Sequence, residues 1–168
     1  MTEPRTLAWL DQQDRLVAAH VRQYGWHIEA VGLGACSCCN EEPAINDAGF
    51  AYTVGLFGFG HPELLIFSVP PKTAAGVLND LGARVQSGAD LGVGELLEFK
   101  NWPHRIVCEE VPNPGDIVLT ANRHFRRPPF DSVPVLQLTY DDKAGRFPWD
   151  KGYANSPNIQ PRPGTFAA

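Results

Sequence analysis

The stretch from Phe50 to Val69 constrains the fold of this chain more than any other. Phe50, Tyr52, Val54 and Leu56 alternate with Ala51, Thr53 and Gly55, so one face of a strand carries large side chains and the other small ones. Such a strand suits close packing on both sides. Gly58, Gly60 and Pro62 then make a turn, and residues 63–69 form a nearly continuous apolar run that reads as a central strand. The two segments together predict a hairpin.

The flanking sequence supplies the rest. Leu7, Leu10, Val17, Val21 and Tyr24 recur at helical spacing over 6–24, with Asp14 as a polar interruption of the stripe. Residues 26–33 then alternate Trp26, Ile28 and Ala30 against His27, Glu29 and Val31, as a strand does. Pro70-Pro71 opens a second helix, with a buried stripe of Ala74, Val77, Leu78, Leu81 and Val85 and a stop at Gly88. Residues 96–100 and 105–111 are two further strands. Asp116 is placed to cap a short third helix carrying Ile117, Val118, Ala121 and Phe125. Residues 133–140 form a last strand, whose start Pro134 pushes toward an edge or a bulge. The order predicts an α+β fold, a mainly antiparallel sheet with two to three helices packed on it, on one face. One domain is expected over 1–152. A tail over 153–168, with Pro157, Pro161 and Pro163, is expected to be flexible because it cannot order on its own.

The bulk chemistry narrows the function classes. A length of 168 residues and a hydrophobic content of 43% support one domain with a proper core. A net charge of −5 argues against nucleic acid, whose phosphates call for a surplus of Lys and Arg. No apolar run approaches the roughly 20 residues that span a bilayer, and residues 1–5 lead into no apolar signal core. A cytoplasmic protein without a membrane partner is expected, and its partner is then a protein or a small molecule.

Cys36-Ser37-Cys38-Cys39 is the unusual chemistry in the chain. Its C-x-x-C spacing lets a tight loop aim two thiolates at one point, either at a metal or at each other. A zinc or iron site would need further ligands from Cys108 or from a histidine such as His27, His61 or His104. Glu41, Glu42 and Asp47 repel a thiolate, and the cluster lies between strands rather than at a helix start, so thioredoxin-like chemistry fits poorly. Ordinary loop thiols, with Cys108 as a small core residue, remain the alternative.

Other groups have plain readings beside functional ones. Gly55, Gly58 and Gly60 turn the hairpin, since no Gly-Lys-Ser/Thr follows them to make a phosphate loop. His61 caps its turn or acts as an acid–base group. Arg123, His124, Arg126 and Arg127 form a basic run that is either a solvated face or an anion site. Trp26, Phe50, Tyr52, Phe57, Phe59, Phe147 and Trp149 are either core or the lining of a pocket for a flat cofactor.

Several blocks carry a family resemblance. They are Tyr24-Gly25-Trp26-His27, the run Gly49–Leu56, His61-Pro62-Glu63-Leu64, Val69-Pro70-Pro71, Leu78-Asn79-Asp80-Leu81, Gln137-Leu138 and the run Gly145–Asp150. Together they resemble a bacterial, mainly actinobacterial family, the domain-of-unknown-function family four-two-six-two. The resemblance implies a small intracellular bacterial protein and carries over no catalytic residue.

Three functional readings follow. The first is a non-enzymatic binding or regulatory module that recognises a protein or a small ligand through Tyr52, Phe57, Phe59 and His61. It leads because no catalytic constellation assembles from the sequence. The second is a metal-thiolate protein, with zinc or iron on Cys36, Cys38, Cys39 and Cys108. The third is an oxidoreductase holding a flavin among the aromatic residues.

Overall fold

The computed structural model describes residues 3–32 and 48–168. Its elements are α1 (Pro4–Tyr24), β1 (His27–Val31), β2 (Phe50–Val54), β3 (Glu63–Phe67), α2 (Pro71–Gln86), β4 (Leu96–Leu97), β5 (Ile106–Glu110), α3 (Leu119–His124) and β6 (Val135–Tyr140), with short 3₁₀ turns at Leu56–Phe59, Pro114–Asp116 and Pro129–Asp131. The six strands form one open sheet in the order β1-β2-β3-β6-β5-β4. Only the β3–β6 pair is parallel. The fold is α+β, and the β2–β3 hairpin lies in the interior of the sheet beside the central β3–β6 pair.

Helices cover both faces of the sheet, not one. Every residue of β2 and β3 is buried, so neither face can be left to water. The stripe of α2 packs on Ala51, Leu64, Ile66, Ile106 and Leu138. On the other face, Val17 of α1 and Val118 and Ala121 beside and within α3 close over Phe50, Tyr52, Val54 and Leu65. Among the described residues no helix is long and apolar enough to cross a membrane.

Several local expectations change in the structure. Strand β6 is central rather than at an edge. Pro134 precedes it, where its missing N–H costs no ladder bond, and its carbonyl accepts the Glu63 N–H at 2.9 Å. Asp116 sits in a 3₁₀ turn, and α3 starts at Leu119 without a side-chain cap. Asp14, the break in the α1 stripe, pairs with Arg123 at 3.2 Å, whereas Leu7 and Tyr24 of that stripe stay exposed. Strand β4 stops at Leu97, because the chain leaves the sheet to pack Phe99 against Trp102.

The segment 153–168 lies against the sheet. The Gln137 amide donates to the Pro161 carbonyl at 2.7 Å, and Gln160 exchanges two hydrogen bonds with the Tyr140 backbone. Phe166 packs edge-on to Phe50 and Phe67. The separate tail read from composition is thus, in the structure, part of the cover of the second face.

Candidate functional site

The structure places the four ligand residues read from the sequence in different surroundings. Tyr52 is 1% exposed, and its oxygen accepts the Thr120 N–H at 3.0 Å on the α1–α3 face. Burial raises the pKa of that phenol. Phe57 stacks edge-on with Phe125, and the Arg127 guanidinium lies over its ring. Phe59 is exposed. His61 is buried, with Nδ1 donating to the Pro62 carbonyl and Nε2 accepting the Leu91 N–H. Both ring nitrogens are occupied, so His61 holds a turn.

Cys36, Cys38 and Cys39 lie outside the described residues. Cys108 is buried in the core beneath α2, where desolvation pushes its thiol up to about 12. It stands three strands from β2, about 14 Å at ~4.8 Å per strand. Among the described residues no group of three or more His, Cys, Asp and Glu side chains could hold a metal ion. The aromatic residues are dispersed as well. Trp26 packs on Gly82 of α2, whereas Phe147 and Trp149 stack on each other at 5.0 Å.

Among the described residues a large concave feature lies at the end of the strand expected over 96–100. A groove of about 740 Å³ runs between the outer face of α2 and residues 98–102. Gly76 and Val77 contribute to its helix side, and Phe99 and Trp102 to the opposite wall. Lys72, Arg84 and Lys100 line it too, with Asp80 and Glu98 as the acidic groups. Arg84 is already engaged, since its Nε donates to Asp80 at 2.7 Å and its guanidinium lies over the Phe99 ring at 5.3 Å. Lys72 and Lys100 against Glu98 leave the groove locally cationic on an acidic chain.

The aromatic wall is anchored from below. Trp102 packs against Phe99, His104 and Tyr140, and the Tyr140 hydroxyl donates to the Phe67 carbonyl at 2.8 Å. Burial raises the Tyr140 pKa, which keeps that donor protonated. Beyond Trp102, the buried carboxylate of Asp141 holds the segment in place. It accepts from the Arg105 Nε at 3.1 Å, the Arg105 backbone N–H at 3.2 Å and the His104 Nδ1 at 3.0 Å. The His104 Nδ1 also reaches the Asp141 carbonyl, at 2.8 Å. Both partners accept, so Nδ1 carries a proton. His104 therefore stands in a fixed orientation beside a second depression bordered by residues 98–105.

The sequence held one usable signal for this site. Gly76 lies inside α2, yet a Cβ built there would meet nothing within 4 Å. Packing does not require that glycine, and glycine inside a helix costs about 1 kcal/mol relative to alanine. Phe99, Trp102 and His104 gave no such signal, because what gathers them is contact with Tyr140 and Asp141, far along the chain.

A protein-family model described as a domain of unknown function (DUF4262) matches residues 20–154. The chain belongs to that family. Neither the curated proteins nor the solved structures yield a match. The DUF4262 stretch contains the whole groove and the Asp141–His104 pair. Its most recognisable blocks, in contrast, serve the fold. Trp26 donates from Nε1 to Asn79 at 3.0 Å and covers Gly82. Gly55, at φ 135°, leaves room for the backbone of Gly25 and Trp26. Glu63 gathers the N–H groups of the 3₁₀ turn.

Proposed function

We propose that this DUF4262 domain is a binding module for a flat, anionic small molecule, held in the groove between α2 and residues 98–102. The observation that carries this reading is the groove itself. Its volume of about 740 Å³ falls within the ~300–1,000 Å³ usual for small-ligand sites. Phe99 and Trp102 offer ring faces and edges for stacking. Lys72 and Lys100 supply charge for a phosphate or carboxylate, and the exposed backbone at Gly76 allows close approach.

Trp102 provides the readout. The chain is titrated with flavin mononucleotide, adenosine monophosphate and a naphthalene sulfonate, following tryptophan fluorescence, with Trp102→Phe as the assignment control. At least one of these anions is expected to quench Trp102 saturably. Gly76→Leu, which fills the groove where no neighbour stands, should weaken that binding at least tenfold while the protein stays folded. Absence of saturable binding, or a Gly76→Leu protein that binds as well as wild type, sinks the reading. A flavin ligand would also be visible as a yellow preparation.

A further inference from the structure

Helix α1 runs for 21 residues, and Val17 is the one it buries. Between its first half, β1 and α3 lies a cavity of about 230 Å³ on the sheet face opposite the groove. Its walls are apolar, from Leu10, Val31, Phe50 and Leu119, and Trp9 borders it while 57% exposed. Its polar lining includes Tyr52, Glu29 and Arg123, with Gln13, Thr120 and Ala168 beside them.

Among the described residues, Tyr52, Glu29 and Arg123 are each held by neighbours through only part of their hydrogen-bonding capacity. The Tyr52 oxygen accepts from the Thr120 N–H, so the phenol still has its own proton to give. Glu29 Oε2 accepts from His27 Nε2 at 3.3 Å. That contact puts the proton of a neutral His27 on Nε2, so its Nδ1 accepts from the His20 Nδ1–H at 2.7 Å. The chain His20–His27–Glu29 thereby holds the carboxylate through Oε2, and among the described residues no partner is seen on Oε1. Arg123 gives Nε to Asp14 at 3.2 Å and Nη2 to the Thr120 hydroxyl at 3.3 Å, which leaves Nη1.

Glu29 and Arg123 line one small cavity, yet they form no ion pair with each other among the described residues. Opposite charges held apart across a cavity with apolar walls complement a zwitterion that has an apolar side chain. We infer that this cavity binds a free apolar α-amino acid, with its carboxylate on Arg123 and Tyr52 and its ammonium on Glu29. Arginine and a phenolic O–H are natural carboxylate donors. The side chain would lie against Leu10, Val31 and Phe50. The volume lies below the ~300 Å³ at which drug-sized pockets begin, which favours one amino acid over a larger ligand.

The test is calorimetric titration of the full chain with L-leucine and L-phenylalanine, with Trp9 fluorescence in parallel. Two truncated probes report the two charges: L-leucinamide lacks the carboxylate, and 4-methylpentanoate lacks the ammonium. Saturable binding of leucine or phenylalanine is expected, weakened at least tenfold for both truncated probes. Glu29→Gln keeps an acceptor for His27 and should lose at least tenfold in affinity with an unchanged melting temperature. Arg123→Gln should lose affinity likewise, with a lowered melting temperature because it gives up the Asp14 pair, and Trp9→Ala, at an exposed position, should weaken binding without that loss. No binding of either amino acid at millimolar concentration overturns the inference. So does leucinamide binding as tightly as leucine, which points to a peptide N-terminus, or a Glu29→Gln protein of unchanged affinity. Binding of flat anions in the groove should be indifferent to Glu29→Gln, so the two sites are read separately.

Discussion

A carboxylate with no exposure to water usually needs a cation beside it, and Glu63, 0% exposed, has four hydrogen-bond donors instead. Oε1 accepts from the N–H groups of Gly55 and Phe57, and Oε2 from the Thr53 hydroxyl and the Leu56 N–H. Burial pushes its pKa up from 4.5 to about 7, and these bonds pull the other way without cancelling it. Between those two values the folded protein holds a proton that the unfolded chain has released. Its contribution to stability is therefore whole below pH 4.5, falls as pH rises toward 7, and is level above that. Glu63→Gln removes this slope. It also turns an amide NH₂ against two donors whichever way it flips, at an expected loss of about 2–3 kcal/mol. Urea unfolding of both proteins at several pH values between 4 and 8 checks the pair of claims, and a flat wild-type profile would contradict them. Nothing in an apolar run such as residues 63–69 marks Glu63 for this role, because three of its donors are backbone groups that a turn presents only once folded.

Helix α2 carries two interior glycines with opposite meanings. At Gly82 a Cβ would stand 2.7 Å from the Trp26 ring. Gly82→Ala must displace that indole and its bond to Asn79, and should cost about 1–3 kcal/mol, as overpacking does. At Gly76 there is open space, so Gly76→Ala should raise stability by about 0.5–1 kcal/mol through helix propensity alone. Thermal melts of the two variants should move in opposite directions, and a shared sign would refute the contrast. The helix was legible in advance because its periodicity is local, and Ala74, Val77, Leu78, Leu81 and Val85 are all buried. Its face of the sheet was not, since spacing along a helix carries no information about which surface it meets. The same limit explains α1, whose stripe gave the helix but not the exposure of Leu7 and Tyr24. It also explains the groove, where residues read as the end of a strand turn out to form an aromatic wall.

At the scale of the molecule, a six-stranded sheet with two covered faces poses a supply problem. Helix α2 covers one face. On the other, α1 and α3 contact β1 and β2, which leaves the side toward β6 and β5 to be closed by something else. Residues 154–168 do this with few apolar groups. Gln160 reproduces a strand-like pair of bonds to Tyr140, Arg162 forks onto Glu109 at 2.7 and 2.8 Å, and Phe166 fills the space beside Phe50 and Phe67. Low hydrophobicity made this segment look independent of the fold. The reasoning holds for the segment alone and fails here because the sheet supplies the surface that it lacks. Its contributions should therefore be ranked by burial. Arg162→Ala breaks a partly exposed ion pair and should cost about 1 kcal/mol or less. Phe166→Ala empties a buried aromatic site and should cost about 3–5 kcal/mol. Ending the chain after Tyr153 removes both and uncovers Gln137, so the loss should exceed that of Phe166→Ala and approach the whole stability of a domain, about 5–15 kcal/mol. Urea titration of the three variants gives the order directly. A shortened chain within 1 kcal/mol of wild type would show the second face to be closed without the segment, and the two-faced account of the fold would then have to be abandoned.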